Sequence, residues 1–497
     1  MKQSVLFFIF LLSLALSLPA RAASPDFLAV VQRYADVMIE DGRDRYGADD
    51  TPLFAVSLDR GTRRIHEGAK LEAVLAIERG DWGIRSHDRM VQGANPMQDQ
   101  NLYRTLYVLT EATGDRKYAD AADDALRWFF GHCQSGTTGL FAWGEHIGWD
   151  FTTEAVIVKD AGTTHEFARP WLLWDRSFRL DPDACRTFAR GLWDHQIGDQ
   201  ASAHYSRHAR YDVHGPGKGS EYPRHGGFYI ATWAAAYERT KDPVFIEAIE
   251  TLVRAYQARR HYKTDALLAE TQSPDLMWPH SCLSLAVDLW EGAEKVPDDL
   301  AEEMRACARR TDDVYLKIAH DLTPGGKGFM INAVTSTLEP GWMRGGVSDD
   351  SRNHFTRTWA TGYGEATDAQ VAMLCYLRWR QVPREGYKKL FLDAAARYLV
   401  SDPDTTIALY PGAVADAIAL MLAAHRVTGD AKYLDRADEL GAMGVAIFFD
   451  DDSGLPRASS KHGHYEAITR GDTLVMELLN LWAAKNGKDI DLEYNER

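Results

Sequence analysis

Three short groups of residues in one part of the chain carry side chains that bind metals and move protons: Trp143-Gly144-Glu145-His146, His165-Glu166 and Arg207-His208. Each stands beside the start of a predicted helix. A helical hairpin takes roughly 30 to 45 residues in helical repeat proteins, and 42 residues separate Glu166 from His208, so this spacing can return the chain to the same rim. His146, Glu166 and His208 would then offer two imidazoles and a carboxylate, a donor set suited to a divalent transition metal with open positions for a substrate. Such a set selects weakly among first-row ions, so manganese is the first expectation and cobalt and nickel stay open. Arg207, beside the last ligand, becomes a candidate for chemistry. His165 competes with Glu166 for the ligand role, because adjacent residues at a helix start rarely both reach one metal.

The elements that must position these groups read as a succession of helical hairpins. Asn101 to Ala112 is apolar nearly all round, ends at Thr113-Gly114-Asp115-Arg116-Lys117-Tyr118, and leads into an amphipathic run through Phe130. The same grammar returns at Asp416 to Val427, closed by Thr428-Gly429-Asp430-Ala431-Lys432-Tyr433. In both, a glycine can take the left-handed closure of one helix and an aspartate can cap the next. Less regular pairs run over 227–259, 278–315 and 363–399. An inner helix buried on all sides and an outer helix half exposed give this pattern, and six or seven pairs predict an all-α, closed α/α toroid. Strand-like runs are short, Val156-Ile157-Val158 being one. The alternative is an open superhelix that binds protein, but long histidine- and aromatic-rich loops before inner helices suit a cleft.

Composition limits what such a barrel can do. The chain has 497 residues, 45% hydrophobic and 26% charged, which is ordinary globular content with ample core. Its formal net charge of -16 disfavours nucleic acid. An acidic substrate would need a local basic pocket. Met1-Lys2-Gln3, an apolar run from Val5 to Leu18 and Pro19-Ala20-Arg21-Ala22-Ala23 form a predicted secretory signal, cleaved after Ala22. The run is shorter than the roughly 17 to 25 residues of a spanning helix, so the expected mature protein is residues 23–497, a single catalytic domain in the periplasm or outside the cell, with no membrane attachment. Five scattered cysteines read as buried core thiols, with a Cys282–Cys307 bridge as the alternative.

The loops hold the remaining candidates. Tyr205, Arg207, His208 and Tyr211 are followed by Arg224-His225, then by Trp278-Pro279-His280, Arg357 and Tyr363. Aromatic planes beside arginine and histidine donors suit a sugar cleft, in which rings stack on sugar faces and cations pair with carboxylates. Trp143, Arg224, His225, Trp278, His280, Arg357 and Tyr363 are therefore expected to contact substrate. Arg224-His225 repeats the Arg-His pairing before an inner helix and competes with Arg207-His208. Gly215-Pro-Gly-Lys-Gly219 lacks the spacing of a phosphate loop and reads as a flexible turn.

The order Trp-Gly-x-His, His-Glu, Ser-Arg-His-Ala within a signal-bearing helical chain resembles the family 2 polysaccharide lyases, bacterial pectate lyases with an α/α barrel. The resemblance covers about 65 residues. It implies a divalent transition metal on His146, Glu166 and His208, and Arg207 as Brønsted base in β-elimination of a 4-linked uronate chain. The chemistry agrees in outline: the proton at C5 is α to a carboxylate, and a metal or cation on that carboxylate stabilises the developing enolate. A guanidinium, however, has a pKa above about 12. Arg207 could instead clamp the substrate carboxylate, leaving Tyr205, Tyr211 or His225 to take the proton.

A different enzyme class fits the same scaffold. A glycoside hydrolase acting on glucuronides or unsaturated uronyl oligosaccharides needs two carboxylates flanking the bond, and Asp99, Glu145, Glu365 and Asp416 all stand near inner-helix starts. Metal dependence with His/Arg chemistry, against a metal-independent carboxylate pair, separates the two.

Overall fold

Helices whose sequences are apolar all round bury all round. In the computed structural model, which describes residues 24–159, 163–164, 166–207, 209–213, 215, 219, 221–341, 354–449, 452–490 and 492–497, helix α14 (Pro411–Thr428) buries every residue from Pro411 to Ala424. Its neighbour α15 (Ala431–Phe448) buries only Tyr433, Ala437, Leu440, Gly441, Gly444 and Phe448, one stripe at helical spacing. The same division holds along the chain. The inner set is α4 (Gln100–Thr113), α8 (Pro223–Thr240), α10 (Pro279–Gly292), α12 (Asp368–Gln381), α14 and α16 (Gly471–Lys485). Their outer partners are α5 (Lys117–His132), α9 (Pro243–Ala258), α11 (Asp298–Tyr315), α13 (Glu385–Tyr398) and α15.

The hairpin turns follow from their residues. Gly114 and Gly429 close α4 and α14 at φ 77° and 69°, the left-handed region that costs glycine nothing. Asp115 then accepts from the Lys117 amide at 3.0 Å, and Asp430 from the Lys432 amide at 3.1 Å. In the turn between α8 and α9 the left-handed residue is Lys241, at φ 56°, and Asp242 caps the proline-led helix that follows.

Inner helices pack on one another in the order α8, α10, α12, α14, α16, α4. The short α6 (Trp174–Leu180) and α7 (Pro182–Gly191) fill the gap between α5 and α8. The ring is completed by α1 (Phe27–Glu40), which packs on α16 and α4 and so gives the last inner helix an outer partner from the opposite end of the chain. Five consecutive pairs, the α16/α1 pair and the short α6/α7 pair make the closed α/α toroid that the sequence predicts. Two further short helices, α2 (Gly68–Leu75) and α3 (Arg79–Trp82), lie in the long segment before α4.

Strands among the described residues are two to four residues long. The expected strand at Val156–Val158 is one edge of a three-stranded antiparallel sheet in which Ile147–Asp150 pairs with both Ala155–Val158 and Gly93–Ala94. All five cysteines are buried and free, so the bridge between Cys282 and Cys307 does not form. No described helix is long and apolar enough to cross a membrane. The expected signal segment 1–22 lies outside the described residues.

Candidate active-site cleft

Five inner helices, α8, α10, α12, α14 and α16, start on one rim, and their first turns or the residues just before them line a cavity of about 670 Å³. Three of them begin with proline at the first helical position, Pro223, Pro279 and Pro411, where the fixed φ and missing N–H fit. Proline also holds the preceding residue extended. In all three helices that residue is aromatic, Tyr222, Trp278 and Tyr410, and all three rings line the cavity. Helix α12 enters instead through a capping box between Thr367 and Gln370. Helix N-termini carry partial positive charge, so this rim favours an anion before any side chain is counted.

Side chains add to that field. Six arginines line the cavity against four carboxylates. Most of the six are neutralised locally. Arg169 lies 2.6 Å from Glu496, Arg470 pairs with Asp416 and lies 3.2 Å from Glu496, Arg497 reaches Glu291 and Asp288, and Arg357 is 3.7 Å from Glu365. Arg207 and Arg224 differ. The Arg207 guanidinium stacks over the Tyr222 ring at 4.7 Å. Arg224 donates to the main-chain oxygens of Arg497 at 2.6 Å and Ala168 at 2.8 Å. Neither forms an ion pair with an aspartate or glutamate side chain among the described residues. Burial lowers the Arg224 pKa, and the charges of Arg207 and Arg169 push the same way against Glu496 and Glu145. His280 is pushed down to about 4 by burial and by Arg224, so its imidazole is neutral at pH 7.

Beside the cavity is a cluster with the chemistry of a metal site. One ligand atom each from His87, Asp88 and His146 lies within 4.8 Å of the others. Asp88 Oδ1 is 2.8 Å from His146 Nδ1 and 3.7 Å from His87 Nε2. Asp88 Oδ1 and His87 Nε2 are nonetheless buried without a hydrogen-bond partner, as donors converging on a cation would be. Asp88 Oδ2 accepts from Arg85 Nε at 2.7 Å, the kind of outer contact that orients a ligand. Glu145 lines the cavity and lies 3.9 Å from His146, which puts cluster and cleft side by side.

Local structure holds the cluster in place. His146 has φ 68°, a left-handed conformation that a histidine adopts only when its surroundings impose it. The imposition comes from Asn95, whose Nδ2 donates to the Gly144 and Ile147 carbonyls at 2.7 and 2.9 Å. Next to His87 and Asp88, the buried Arg89 makes two 2.7 Å bonds to the buried Glu466 and stacks on Trp82. Burial pushes the Glu466 pKa up, but Arg89 and His464 outweigh it and hold the carboxyl at about 2. Removing one partner leaves a buried charge, so Glu466→Gln is expected to cost about 3–5 kcal/mol in urea unfolding at pH 7. Because the folded pKa lies below the ordinary 4.5, this contribution is complete above pH 4.5 and fades as pH falls toward 2. The difference between wild type and variant should therefore shrink over that window, and a difference that does not change with pH would count against the pair.

The sequence-predicted residues divide clearly. Arg207, Arg224, His225, Trp278, His280, Arg357 and Tyr363 all line the cavity. Trp143 does not, and its expected stacking role gives way to a core one: it is fully buried and packs against Phe129, Phe141, Trp171 and Phe188. Tyr205 and Tyr211 are likewise corrected as proton acceptors. The Tyr205 hydroxyl donates to the Tyr222 carbonyl at 2.7 Å and lies 2.9 Å from Tyr256 Oη, while Tyr211 donates to the Cys133 carbonyl at 3.3 Å. Neither lines the cavity, and burial raises both pKa values.

Glu166 does not join the His87/Asp88/His146 group. Its carboxylate accepts from Tyr229 and from Gln196 at 2.5 Å, and burial pushes its pKa up to about 8. His208 and His165 lie outside the described residues. Among the carboxylates weighed for a hydrolase, Glu145, Glu365 and Asp416 line the cavity, whereas Asp99 is fully buried away from it. Sequence reasoning missed His87, Asp88, Arg169, Arg470, Glu496 and Arg497. It also missed Tyr410, although Tyr410-Pro411 repeats the aromatic-proline signature of Tyr222-Pro223 and Trp278-Pro279.

Solved structures similar over most of the chain include a D-mannose isomerase (11% identity, 94% of this chain and 99% of that one, TM-score 0.43). A cellobiose 2-epimerase from Bacillus thermoamylovorans is 10% identical over 91% and 99% of the two chains, with a TM-score of 0.48. An α-1,6-mannanase from a Salegentibacter species is 10% identical over 92% and 100%, with a TM-score of 0.43. In sequence, residues 73–270 match the family model of periplasmic pectate lyases. That stretch carries the His87/Asp88/His146 cluster, Arg207 and Arg224, and the family it matches is the one that Trp143 to His208 resembles.

Proposed function

We propose that the cleft binds a stretch of 4-linked uronate chain, of the pectate or oligogalacturonate kind, and breaks it by metal-assisted β-elimination. The observation that carries this reading is the pair Arg207 and Arg224, two cavity guanidinium groups without an aspartate or glutamate ion pair among the described residues, on a rim of five helix N-termini. A planar guanidinium grips a carboxylate through two parallel hydrogen bonds. Arg224, fixed by main-chain oxygens on one side, is suited to hold the uronate carboxylate while its charge withdraws electron density from C5. Arg207 is suited to the C5 proton, as the family resemblance implies. Tyr222, Trp278 and Tyr410 offer ring faces for the sugars.

The donor set that fits a divalent ion is His87, Asp88 and His146, with two buried ligand atoms otherwise unsatisfied. A metal there, manganese by first expectation, would supply Lewis-acid stabilisation to the substrate carboxylate. The carried-over set of His146, Glu166 and His208 is the competing assignment. Residues 1–22 act as a removable export signal in this reading, and 23–497 work as one catalytic domain in the periplasm or beyond.

The test is to incubate the purified protein with polygalacturonate and glucuronan, with and without chelator and added manganese, and follow the ultraviolet absorbance of the unsaturated uronyl product. Absorbance that grows with metal and stops with chelator is expected. A flat trace with release of reducing sugar would instead favour a hydrolase using Glu145 and Glu365, both of which line the cavity.

A further inference from the structure

Residues 492–497 run inside the ring. Leu492 exchanges backbone hydrogen bonds with the Asn480 side chain on α16 at 3.0 and 3.3 Å. Arg104 on α4 donates to the Glu493 carbonyl, Tyr494 donates to Asp416 on α14 at 2.9 Å, and Asn101 on α4 donates to Asn495 at 3.2 Å. Arg497 reaches Glu291 and Asp288 on α10. A six-residue stretch that touches α4, α10, α14 and α16 lies along the axis of the toroid. Tyr494, Asn495 and Arg497 are buried. Glu496 and Arg497 line the cavity, so this segment forms part of its wall.

Glu496 stands between two cavity arginines. Its Oε1 lies 2.6 Å from Arg169 and 3.2 Å from Arg470, whose side chains are 6% and 11% exposed. Burial pushes the Glu496 pKa up, yet the charges of Arg169 and Arg470, with that of Arg224 adding to them, outweigh it and keep the carboxylate ionised. Four of the six cavity arginines thus face protein carboxylates, and Glu496 alone serves two of them. Among the described residues, its removal would leave Arg169 without an ion pair and Arg470 with only that to Asp416. A polyanion entering the cleft would then meet a second cationic pair.

We infer that Glu496 is a positioning and specificity residue. By occupying Arg169 and Arg470 it withholds them from the substrate, so that uronate carboxylates settle on Arg207 and Arg224 in a single register. The inference rests on the acidic-substrate reading above. Substrate bound in a second, unreactive register lowers kcat and KM together and leaves kcat/KM nearly unchanged, whereas a merely loosened site lowers kcat/KM.

The experiment compares wild type, Glu496→Gln and the charge-preserving double variant Arg169→Gln/Glu496→Gln on tri- and tetragalacturonate, measuring kcat and KM alongside calorimetric binding of galacturonate and neutral galactose. In Glu496→Gln, kcat and KM are each expected to fall about tenfold, the size of one added charge-assisted hydrogen bond. Galacturonate should bind correspondingly tighter and galactose should be unaffected. The double variant should return both constants toward wild type, and it decides the matter if Glu496→Gln alone does not fold. An unchanged or raised KM in Glu496→Gln, or no recovery in the double variant, would overturn the inference. Wild type that neither binds galacturonate nor cleaves the oligomers would overturn the acidic-substrate reading itself, a separate outcome.

Discussion

Arg207→Ala is expected to lower kcat/KM on polyuronate by about a thousandfold or more, the upper range for losing one general base or one electrostatic donor. Arg224→Ala is expected to lower it by about a hundredfold, largely through KM. The difference follows from how each side chain is held. Arg224 is half-buried and anchored to two main-chain oxygens, so its loss removes a preset carboxylate grip. Arg207 is held by the face of Tyr222 at 4.7 Å, a contact that leaves its N–H edges free to meet the reacting part of the sugar. Arg207→Lys separates the two roles open to this residue. Lysine keeps the charge, loses the planar fork and has a lower pKa. A clamp would keep most of kcat with a raised KM. A base would show a large loss of kcat, part of it recovered at a shifted pH optimum. Wild-type kinetics in Arg207→Ala would remove this residue from the mechanism.

Metal content is the second large effect. Dialysed protein refilled with manganese should retain about one ion per chain by elemental analysis, and His146→Ala should retain almost none. Asp88→Asn and His87→Ala are expected to weaken binding by about a hundredfold or more, since loss of an outer partner alone typically costs 10–100-fold. The Arg85 contact to Asp88 makes a graded control: Arg85→Met should weaken retention without abolishing it. Full retention in Asp88→Asn and His87→Ala, together with loss in His208→Ala and Glu166→Gln, would move the ion to the set that the family resemblance implies. In that case the buried Glu166 carboxyl would have to leave Tyr229 and Gln196 or share them.

What could be read from the sequence was local. The Thr-Gly-Asp closures at Gly114 and Gly429 and the apolar character of Pro411 to Ala424 are written within single hairpins, and from them the toroid follows. The loop residues Arg224, His225, Trp278 and His280 were legible for the same reason, each sitting in the first turn of an inner helix or just before it. Through-space pairs were not. Arg89 and Glu466 are 377 positions apart and meet only because the ring closes. His87 and Asp88 lie in a segment without helical period, which reaches His146 through the strand pairing of Gly93–Ala94 with Ile147–Asp150 and the Asn95 side-chain bonds. Glu496 follows the last helix, where no periodic signal says that the chain turns inward. Trp143 misled because a tryptophan beside glycine and histidine reads as a loop aromatic, whereas the aromatic side chains of α5 and α7 enclose it.

The most direct measurement is the mass of the products formed from trigalacturonate in water enriched in heavy oxygen. β-Elimination splits the C4–O4 bond after proton loss at C5 and adds no water, so the fragments should sum to the mass of the substrate, one of them carrying a double bond, with no label beyond the reducing-end exchange that unreacted trigalacturonate shows. Fragments that together exceed the substrate by one labelled water would show glycosidic hydrolysis, and would contradict a lyase built on Arg207, Arg224 and the His87/Asp88/His146 site.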